Sequence, residues 1–110
     1  MSRAGLSVPR PLRIAHRGAS ARAPENTLAA FKEAIRLGAD LIECDVHLSA
    51  DEVPMIIHDD TVERTTNGRG AVCALACARL RRLDAGAWFS SRFRGERIPT
   101  LEEALECARG

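Results

Sequence analysis

The sequence predicts an α/β fold that begins with a strand, a helix and a second strand. Three observations carry this prediction. Short apolar runs end near residues 16, 46 and 58, a segment with helical spacing lies between the first two, and polar side chains stand where each run ends. A strand–helix–strand start favours a right-handed crossover between parallel strands. Functional side chains at the C-terminal ends of successive strands are typical of a TIM (β/α)8 barrel.

The N-terminal segment, residues 1–11, is expected to be a short lead-in to the domain. Pro9 and Pro11 favour an extended backbone before the first apolar run. That run, 12–16, predicts the first strand and ends at a histidine. We therefore expect one domain over 12–110.

The first helix is predicted to begin near residue 27. Asn26 or Thr27 can cap it, because a short side-chain oxygen accepts hydrogen bonds from the free backbone amides of the first turn. Gly38 is expected to end it in the left-handed conformation. One apolar face follows the helical spacing, at Leu28, Phe31 and Ile35.

Two further strands are predicted over 40–46 and 54–58. Because side chains alternate along a strand, Glu43 and Asp45 are expected on one face of the second strand. The third run is continuously apolar from Met55 to Ile57, which suits a strand buried on both faces of a parallel sheet.

The C-terminal half is predicted to contain two helices separated by an irregular segment. The first helix is expected over 75–83, and the irregular segment over 84–99. Thr100 and Glu103 have the spacing of a capping box that opens the last helix. The aromatic residues of the irregular segment are expected to pack beneath it, with a substrate-facing role as the alternative: Trp88, Phe89 and Phe93.

Composition excludes several classes of protein. The formal net charge of +1 gives no long-range attraction to nucleic acid. No apolar stretch approaches the ~20 residues of a membrane span, and the N-terminus lacks the apolar region of a secretory signal. The four cysteines do not have the spacing of a zinc site. These features favour a cytoplasmic protein with reduced cysteines; they leave the oligomeric state open.

The sequence is too short to contain the whole of the predicted barrel. A full barrel takes ~250 residues, and the 110 residues here supply about three of its eight strands. We therefore expect the N-terminal part of a larger domain, or a truncated product.

Glu43 and Asp45 are candidate metal ligands. Two carboxylates that point the same way repel each other unless a cation lies between them, and a hard divalent ion such as Mg²⁺ or Ca²⁺ suits carboxylate oxygens. The alternative is a strand face with two solvated acids.

His16 and His58 are candidate acid–base catalysts. Histidine titrates near neutral pH, so one ring can accept a proton while the other donates one. A structural hydrogen-bonding role is the alternative for each. His47 is expected past the end of the second strand, with a peripheral role at most.

Arg17 is a candidate phosphate ligand. A guanidinium can hold two phosphate oxygens with its planar fork and stays charged throughout. The alternative is a salt bridge to a nearby acid such as Glu25. Glu25 and Asn26 are expected to shape the loop rather than contact a substrate.

The motifs together resemble those of the glycerophosphodiester phosphodiesterase family. Seven segments in one order carry the resemblance: His16–Gly18, Pro24–Thr27, Glu43–Val46, His58–Asp59, Arg64–Gly70, Leu83–Gly86 and Ile98–Glu103. It covers residues from about 14 to 106.

The resemblance implies a TIM barrel that hydrolyses glycerophosphodiesters to an alcohol and glycerol 3-phosphate, with a divalent cation. It implies that His16 and His58 are the general acid–base pair, that Glu43 and Asp45 bind the metal, and that Arg17 binds the phosphate. The family's further carboxylate ligand and lysine would lie beyond residue 110, so we expect the isolated chain to bind little metal and turn over poorly.

Two other functions remain open at this point. One is a truncated, non-catalytic remnant that binds a partner. The other is a phospholipase D-like activity on sphingomyelin or lysophospholipids, which the missing secretory signal and the lack of a disulfide pattern disfavour.

Overall fold

The computed structural model describes residues 10–109, so most of the expected lead-in over 1–11 lies outside the described residues. The regular elements, in chain order, are β1 (Ile14–His16), α1 (Leu28–Arg36), β2 (Leu41–Glu43), β3 (Val46–Leu48), β4 (Pro54–Ile56), α2 (Cys77–Leu80) and α3 (Leu101–Arg109). Single turns of 3₁₀ helix lie at Val72–Ala74 and Ser91–Phe93.

The predicted strand–helix–strand start is confirmed. β1 and β2 are parallel neighbours joined by α1, and their register places His16 opposite Glu43. This register brings two of the candidate site residues to the same end of the pair.

The continuous second strand over 40–46 is wrong. β2 ends at Glu43, and after the link Cys44–Asp45 the chain enters β3, which pairs with β4 in antiparallel fashion. The expectation that the third strand extends a parallel sheet is wrong for the same reason. Only residues 49–53 separate β3 from β4. Such a short connection permits a hairpin, whereas parallel neighbours need a crossover of a dozen or more residues.

The first helix begins and ends largely as its sequence predicts. Thr27 is the N-cap: its hydroxyl accepts from the amide of Ala30 at 3.2 Å and donates to the carbonyl of Pro24 at 2.7 Å. Gly38 follows the helix with φ +85°. The buried face is made of Ala30, Phe31 and Ala34, so the placement of Ile35 on it is wrong. The small alanines allow the helix to approach the loop after β1 closely, since the amide of Ala19 donates to the carbonyl of Ala30.

The core lies on both sides of β4. Met55 and Ile57 belong to one cluster, and Ile56 belongs to the other. The predicted burial of this apolar run is therefore confirmed, because alternate residues of a strand point to opposite faces. The cluster around Met55 also contains Val62, Val72, Leu80, Ala85 and Ile98, and the cluster around Ile56 contains Phe31 and Ala104.

The two C-terminal helices differ in how well they were predicted. The helix expected over 75–83 is only the single turn α2, preceded by the 3₁₀ turn at Val72–Ala74. At α3 the capping box is confirmed, because the amide of Thr100 donates to Glu103 at 3.0 Å and the amide of Glu103 donates to the Thr100 hydroxyl at 3.1 Å. No helix within residues 10–109 is both long and apolar enough to cross a bilayer.

Candidate active site

The end of β1 brings His16 and Arg17 against Glu43. Nε2 of His16 lies 3.7 Å from Oε1 of Glu43. The backbone amide of Arg17 donates to the Glu43 carbonyl at 2.8 Å and to its Oε1 at 3.1 Å. The last residue of β2 is therefore held by the first residue after β1, which fixes this carboxylate beside the histidine.

The loop after β1 folds back so that it also reaches Asp45. Arg17 and Asn26 both have left-handed backbone conformations, with φ of +59° and +57°. The Asn26 amide donates to the Arg17 carbonyl at 2.9 Å, and its side-chain Nδ2 donates to Oδ2 of Asp45 at 3.0 Å. A left-handed residue other than glycine costs about 1–2 kcal/mol. The surrounding contacts must supply that energy at both positions.

The Arg17 guanidinium lies between two carboxylates. Its Nη1 is 3.4 Å from both oxygens of Glu25, and its Nε is 3.6 Å from Oδ2 of Asp45. Nε is buried, and within the described part of the chain it has no hydrogen-bond partner. The pairing of Arg17 with Glu25 is therefore present in the structure. The Nε–H and the two N–H groups of Nη2 make no hydrogen bond within the described residues.

Arg64 joins the loop after β1 to the segment after β4. Its guanidinium donates to both oxygens of Glu25, at 3.1 and 2.7 Å, and to both oxygens of Asp59, at 2.9 and 3.0 Å. Asp59 in turn lies 2.8 Å from Nδ1 of His58 through its Oδ1. A continuous series of contacts therefore runs from Arg17 to His58.

The carboxylates of this series are held ionised. The side-chain hydrogen bonds of Arg64 and His58 hold the pKa of Asp59 well below its usual range. Burial is the largest single influence on Glu25 and raises its pKa. The hydrogen bonds and charges of Arg64 and Arg17 together outweigh burial and leave the pKa lowered.

The two candidate catalytic histidines are not on neighbouring strands. His58 follows β4, which pairs with β3, whereas His16 ends β1, which pairs with β2. His47 lies within β3 rather than past the strand as expected, and its Nε2 is 2.9 Å from the backbone carbonyl of His58. The side-chain contacts and a backbone hydrogen bond from Ile57 to the Asp45 carbonyl, at 2.9 Å, connect the two halves of the site.

The carboxylates provide part of a site for a hard divalent cation. Within residues 10–109, no hydrogen bond reaches Oε2 of Glu43 or Oδ1 of Asp45, so each has an oxygen free to bind an ion. The network holds four carboxylates and two guanidiniums, a formal excess of two negative charges, on Glu25, Glu43, Asp45, Asp59, Arg17 and Arg64. No group of three or more His, Cys, Asp or Glu in the described chain could enclose an ion alone. The donors thus fit an incomplete oxygen-ligand set.

Neighbouring residues bear less directly on the chemistry. Cys44 packs against the Ile56 cluster, and burial, with the charges of the adjacent Glu43 and Asp45, raises the pKa of its thiol. Trp88, Phe89 and Phe93 stack edge to face, as expected for packing, although Trp88 stays 41% exposed.

Arg64 is the main residue that residue-by-residue reasoning missed. It belongs to one of the motifs that carry the family resemblance, yet nothing local in the sequence indicates its partners. Glu25 lies 39 positions earlier. Asp59 alone offers a signal, because an acid directly after a candidate catalytic histidine can reach its ring.

Comparison with known proteins points to one family. The model of the glycerophosphoryl diester phosphodiesterase family matches residues 16–110. A glycerophosphodiester phosphodiesterase from Caldanaerobacter subterraneus is 56% identical over 93 residues, which are 84% of this chain and 38% of that protein. The chain thus spans about two-fifths of the length of this relative.

Two solved structures have the same fold over nearly all of the chain. A glycerophosphodiester phosphodiesterase from Agrobacterium tumefaciens has a TM-score of 0.89 and 48% identity, covering 92% of this chain and 44% of its own. A phosphodiesterase from Oleispira antarctica, solved with the product sn-glycerol-3-phosphate, has a TM-score of 0.88 and 47% identity, covering 90% and 40%.

Proposed function

The chain belongs to the glycerophosphoryl diester phosphodiesterase family, and from that premise we propose that the full-length protein hydrolyses glycerophosphodiesters to an alcohol and glycerol 3-phosphate. Residues 12–110 are the N-terminal portion of its catalytic domain, which is a TIM barrel that further strands complete. We place this activity in the cytoplasm, as the sequence favours.

One observation supports the proposal most strongly. A single series of contacts links the residues to which the family resemblance assigns the chemistry: His16 to Glu43, Glu43 to Arg17, Arg17 to Asp45, and, through Glu25, Arg64 and Asp59, Arg17 to His58. Residues that were chosen from separate sequence motifs are thus neighbours in space.

The histidines act as the general acid and base. One of His16 and His58 takes the proton from the glycerol 2-hydroxyl as its oxygen forms a bond to phosphorus. The bond from phosphorus to the alcohol oxygen breaks, and the other histidine protonates that leaving oxygen. The product is a cyclic glycerol phosphate. A water molecule then opens the ring with the two proton transfers reversed, which returns both histidines to their starting states.

Arg17 neutralises charge on the phosphoryl oxygens. Its Nη2 group makes no hydrogen bond within residues 10–109 and, on a side chain that is 21% exposed, can donate to a phosphate oxygen. A preorganised donor in a partly dry site stabilises developing charge more than it would in water. Glu25 orients the guanidinium by pairing with Nη1.

Glu43 and Asp45 would hold the divalent cation, Mg²⁺ or Ca²⁺, through the carboxylate oxygens that have no other partner in the described chain. When bound, the ion supplies positive charge that stabilises the phosphoryl group in the transition state. Two carboxylates leave most of six or more coordination positions to be filled, which agrees with a site completed by residues outside this chain.

The direct test is metal-dependent release of glycerol 3-phosphate by the full-length protein. We expect turnover of glycerophosphocholine in the presence of Mg²⁺ or Ca²⁺, loss of turnover with a chelator, and recovery when the ion is restored. A protein that folds cooperatively, binds the ion and releases no glycerol 3-phosphate from a panel of glycerophosphodiesters would contradict the proposal.

A further inference from the structure

The His58 ring is held by a carboxylate that can only accept. Oδ1 of Asp59 lies 2.8 Å from Nδ1 of His58, and an ionised carboxylate has no proton to donate. Nδ1 must therefore carry the hydrogen. In the neutral ring the other nitrogen, Nε2, then has the free lone pair. The contact selects one of the two tautomers, and the selected one leaves Nε2 as the nitrogen that can accept a proton from a substrate.

Arg64 keeps Asp59 in the state that makes this selection. It donates through Nε to Oδ2 and through Nη2 to Oδ1, at 2.9 and 3.0 Å, so that both carboxylate oxygens are fixed by a planar fork. A bidentate pair of this kind sets orientation as well as charge.

The same guanidinium is anchored from the opposite side. Nη1 and Nη2 donate to the two oxygens of Glu25, at 3.1 and 2.7 Å, and Glu25 also pairs with Arg17. Four of the five N–H groups of Arg64 are thus engaged by two carboxylates. Only 11% of the Glu25 side chain is exposed, whereas the Arg64 side chain is 45% exposed. The less exposed acid provides a fixed point for the more exposed arginine.

We propose that Arg64 is a positioning residue that holds Asp59 so that His58 keeps its Nδ1–H tautomer, and that it sets His58 relative to Arg17 through Glu25. The inference rests on the proposed catalytic role of His58. Within residues 10–109, the Arg64 side chain makes hydrogen bonds to Glu25 and Asp59 and to neither of the carboxylates assigned to the metal. It acts by orienting the His58 ring through Asp59. Its ion pairs with Glu25 and Asp59 also connect the loop after β1 to the segment after β4.

The proposal requires the planar guanidinium of Arg64, which donates to both oxygens of Asp59, and not only its positive charge. Lysine keeps the positive charge of Arg64 but presents a single ammonium that cannot bind both carboxylates in the same plane. Arg64→Lys should therefore recover only part of what Arg64→Met loses. Arg69, an exposed arginine five positions later on the same loop, offers a matched control, since no side-chain hydrogen bond of Arg69 occurs within residues 10–109.

The experiment uses the full-length protein and reads both turnover and the His58 tautomer. Ring nitrogen signals in long-range ¹H–¹⁵N spectra, recorded at a pH where the ring is neutral, report which nitrogen carries the hydrogen. We expect the Nδ1–H form in the wild type and in Arg69→Met, and a mixture of tautomers in Arg64→Met. We also expect kcat in Arg64→Met to fall about 10- to 100-fold with little change in KM, as for other residues that orient a catalytic group.

A second variant keeps the test decisive if Arg64→Met does not fold. Asp59→Asn presents an amide that can donate as well as accept, so the ring is free to adopt the other tautomer, and kcat should fall. Arg64→Lys should give an intermediate tautomer ratio and kcat. A folded Arg64→Met or Arg64→Lys protein with the wild-type tautomer and wild-type kcat would overturn the positioning role.

His58→Asn separates the two proposals. If its turnover is lost while Arg64→Met retains the wild-type tautomer and kcat, the proposed function stands and the positioning role is wrong. If His58→Asn retains full turnover, the catalytic role of His58 is wrong, and the positioning proposal is wrong with it.

Discussion

The two regions that meet at the site are packed very differently. The β1–β2 region, residues 12–45, carries His16, Arg17 and both carboxylates assigned to the metal, yet Ile14 and Leu41 on its strands are 61% and 50% exposed. The β4 region, residues 53–99, carries His58, and Leu80 within it is fully buried. Most of the proposed chemistry thus lies on the region with the less buried strands.

This contrast indicates what holds each half of the site. In the β4 region a hydrophobic core positions the segment that leads to His58. In the β1–β2 region the functional side chains are held chiefly by ion pairs and hydrogen bonds, such as those from Arg17 to Glu43 and from Asn26 to Asp45. Substitutions of the ion-pairing side chains in the β1–β2 region should therefore act mainly on activity, and substitutions of the core side chains in the β4 region should act mainly on stability.

The largest expected effect is on activity and comes from the β1–β2 region. Asp45→Asn or Glu43→Gln in the full-length protein should lower the metal-dependent rate about 100-fold or more, because a bound cation stabilises the transition state by several kcal/mol. Glu102→Gln, which changes an exposed acid on α3, is the matched control. Rates of glycerol 3-phosphate release at several ion concentrations check this. A wild-type rate and ion dependence in both site variants would show that these carboxylates do not hold the ion.

The largest effect on stability should come from the β4 region. Leu80→Ala removes a fully buried side chain and should lower the free energy of unfolding by about 2–5 kcal/mol. The same substitution at Leu41, which is half exposed on β2, should change it by no more than about 0.5 kcal/mol. Urea unfolding of the 110-residue chain measures both. Equal losses would mean that the two regions are packed alike.

A smaller loss of stability is expected where the β1–β2 region depends on a side-chain hydrogen bond. Thr27→Ala removes the N-cap of α1 and should lower the free energy of unfolding by about 1 kcal/mol. Thr27→Ser keeps the capping oxygen and should retain most of that stability. Urea unfolding curves of the two variants test this, and an alanine variant as stable as the serine variant would show that the cap contributes nothing.

The smallest effect should be a pH dependence of the free energy of unfolding. It comes from the ion pairs of Arg64 with Asp59 and Glu25, which link the two regions. Folding lowers the pKa of Asp59 and of Glu25 below their ordinary values of 3.8 and 4.5. The unfolded chain therefore binds more protons, and the stability that these groups contribute is present above those ordinary values and lost as the pH falls below them. Because Arg64 is partly exposed, the contribution should be under about 1 kcal/mol.

Unfolding free energies measured between pH 6 and pH 3 check this. The slope over that interval should be shallower in Arg64→Met than in the wild type or in Arg69→Met. Identical slopes in all three proteins would contradict a stabilising role for the Arg64 ion pairs.

Sequence reasoning predicted the fold best where the signal is local. The Thr27 cap, the Gly38 end of α1 and the Thr100–Glu103 box each depend on residues within a few positions of one another, and all are present. The end of β2 at Glu43 was not predicted, because the alternation of apolar residues continues through Val46. That alternation does not show that the chain stops pairing with β1 after Glu43 and pairs with β4 from Val46 onward. The short link over 49–53 was the available signal for a hairpin.

Sequence reasoning about the site was likewise limited to residues that have a local signal. His16, Arg17, Glu43, Asp45 and His58 could be named because each follows an apolar run. Arg64 could not be given a role, because its partners Glu25 and Asp59 come from two loops that only the folded chain brings together. Long-range ion pairs leave no periodic pattern in a sequence.

The central claim is that both regions supply one catalytic centre, with His16 from the first and His58 from the second. The most direct test is the rate of glycerol 3-phosphate release by His16→Asn and His58→Asn in the full-length protein at saturating divalent cation. Each variant should fold as stably as the wild type and lose about 100- to 10,000-fold in kcat, the usual contribution of general acid–base catalysis. A folded variant of either histidine that retains the wild-type kcat would contradict the account.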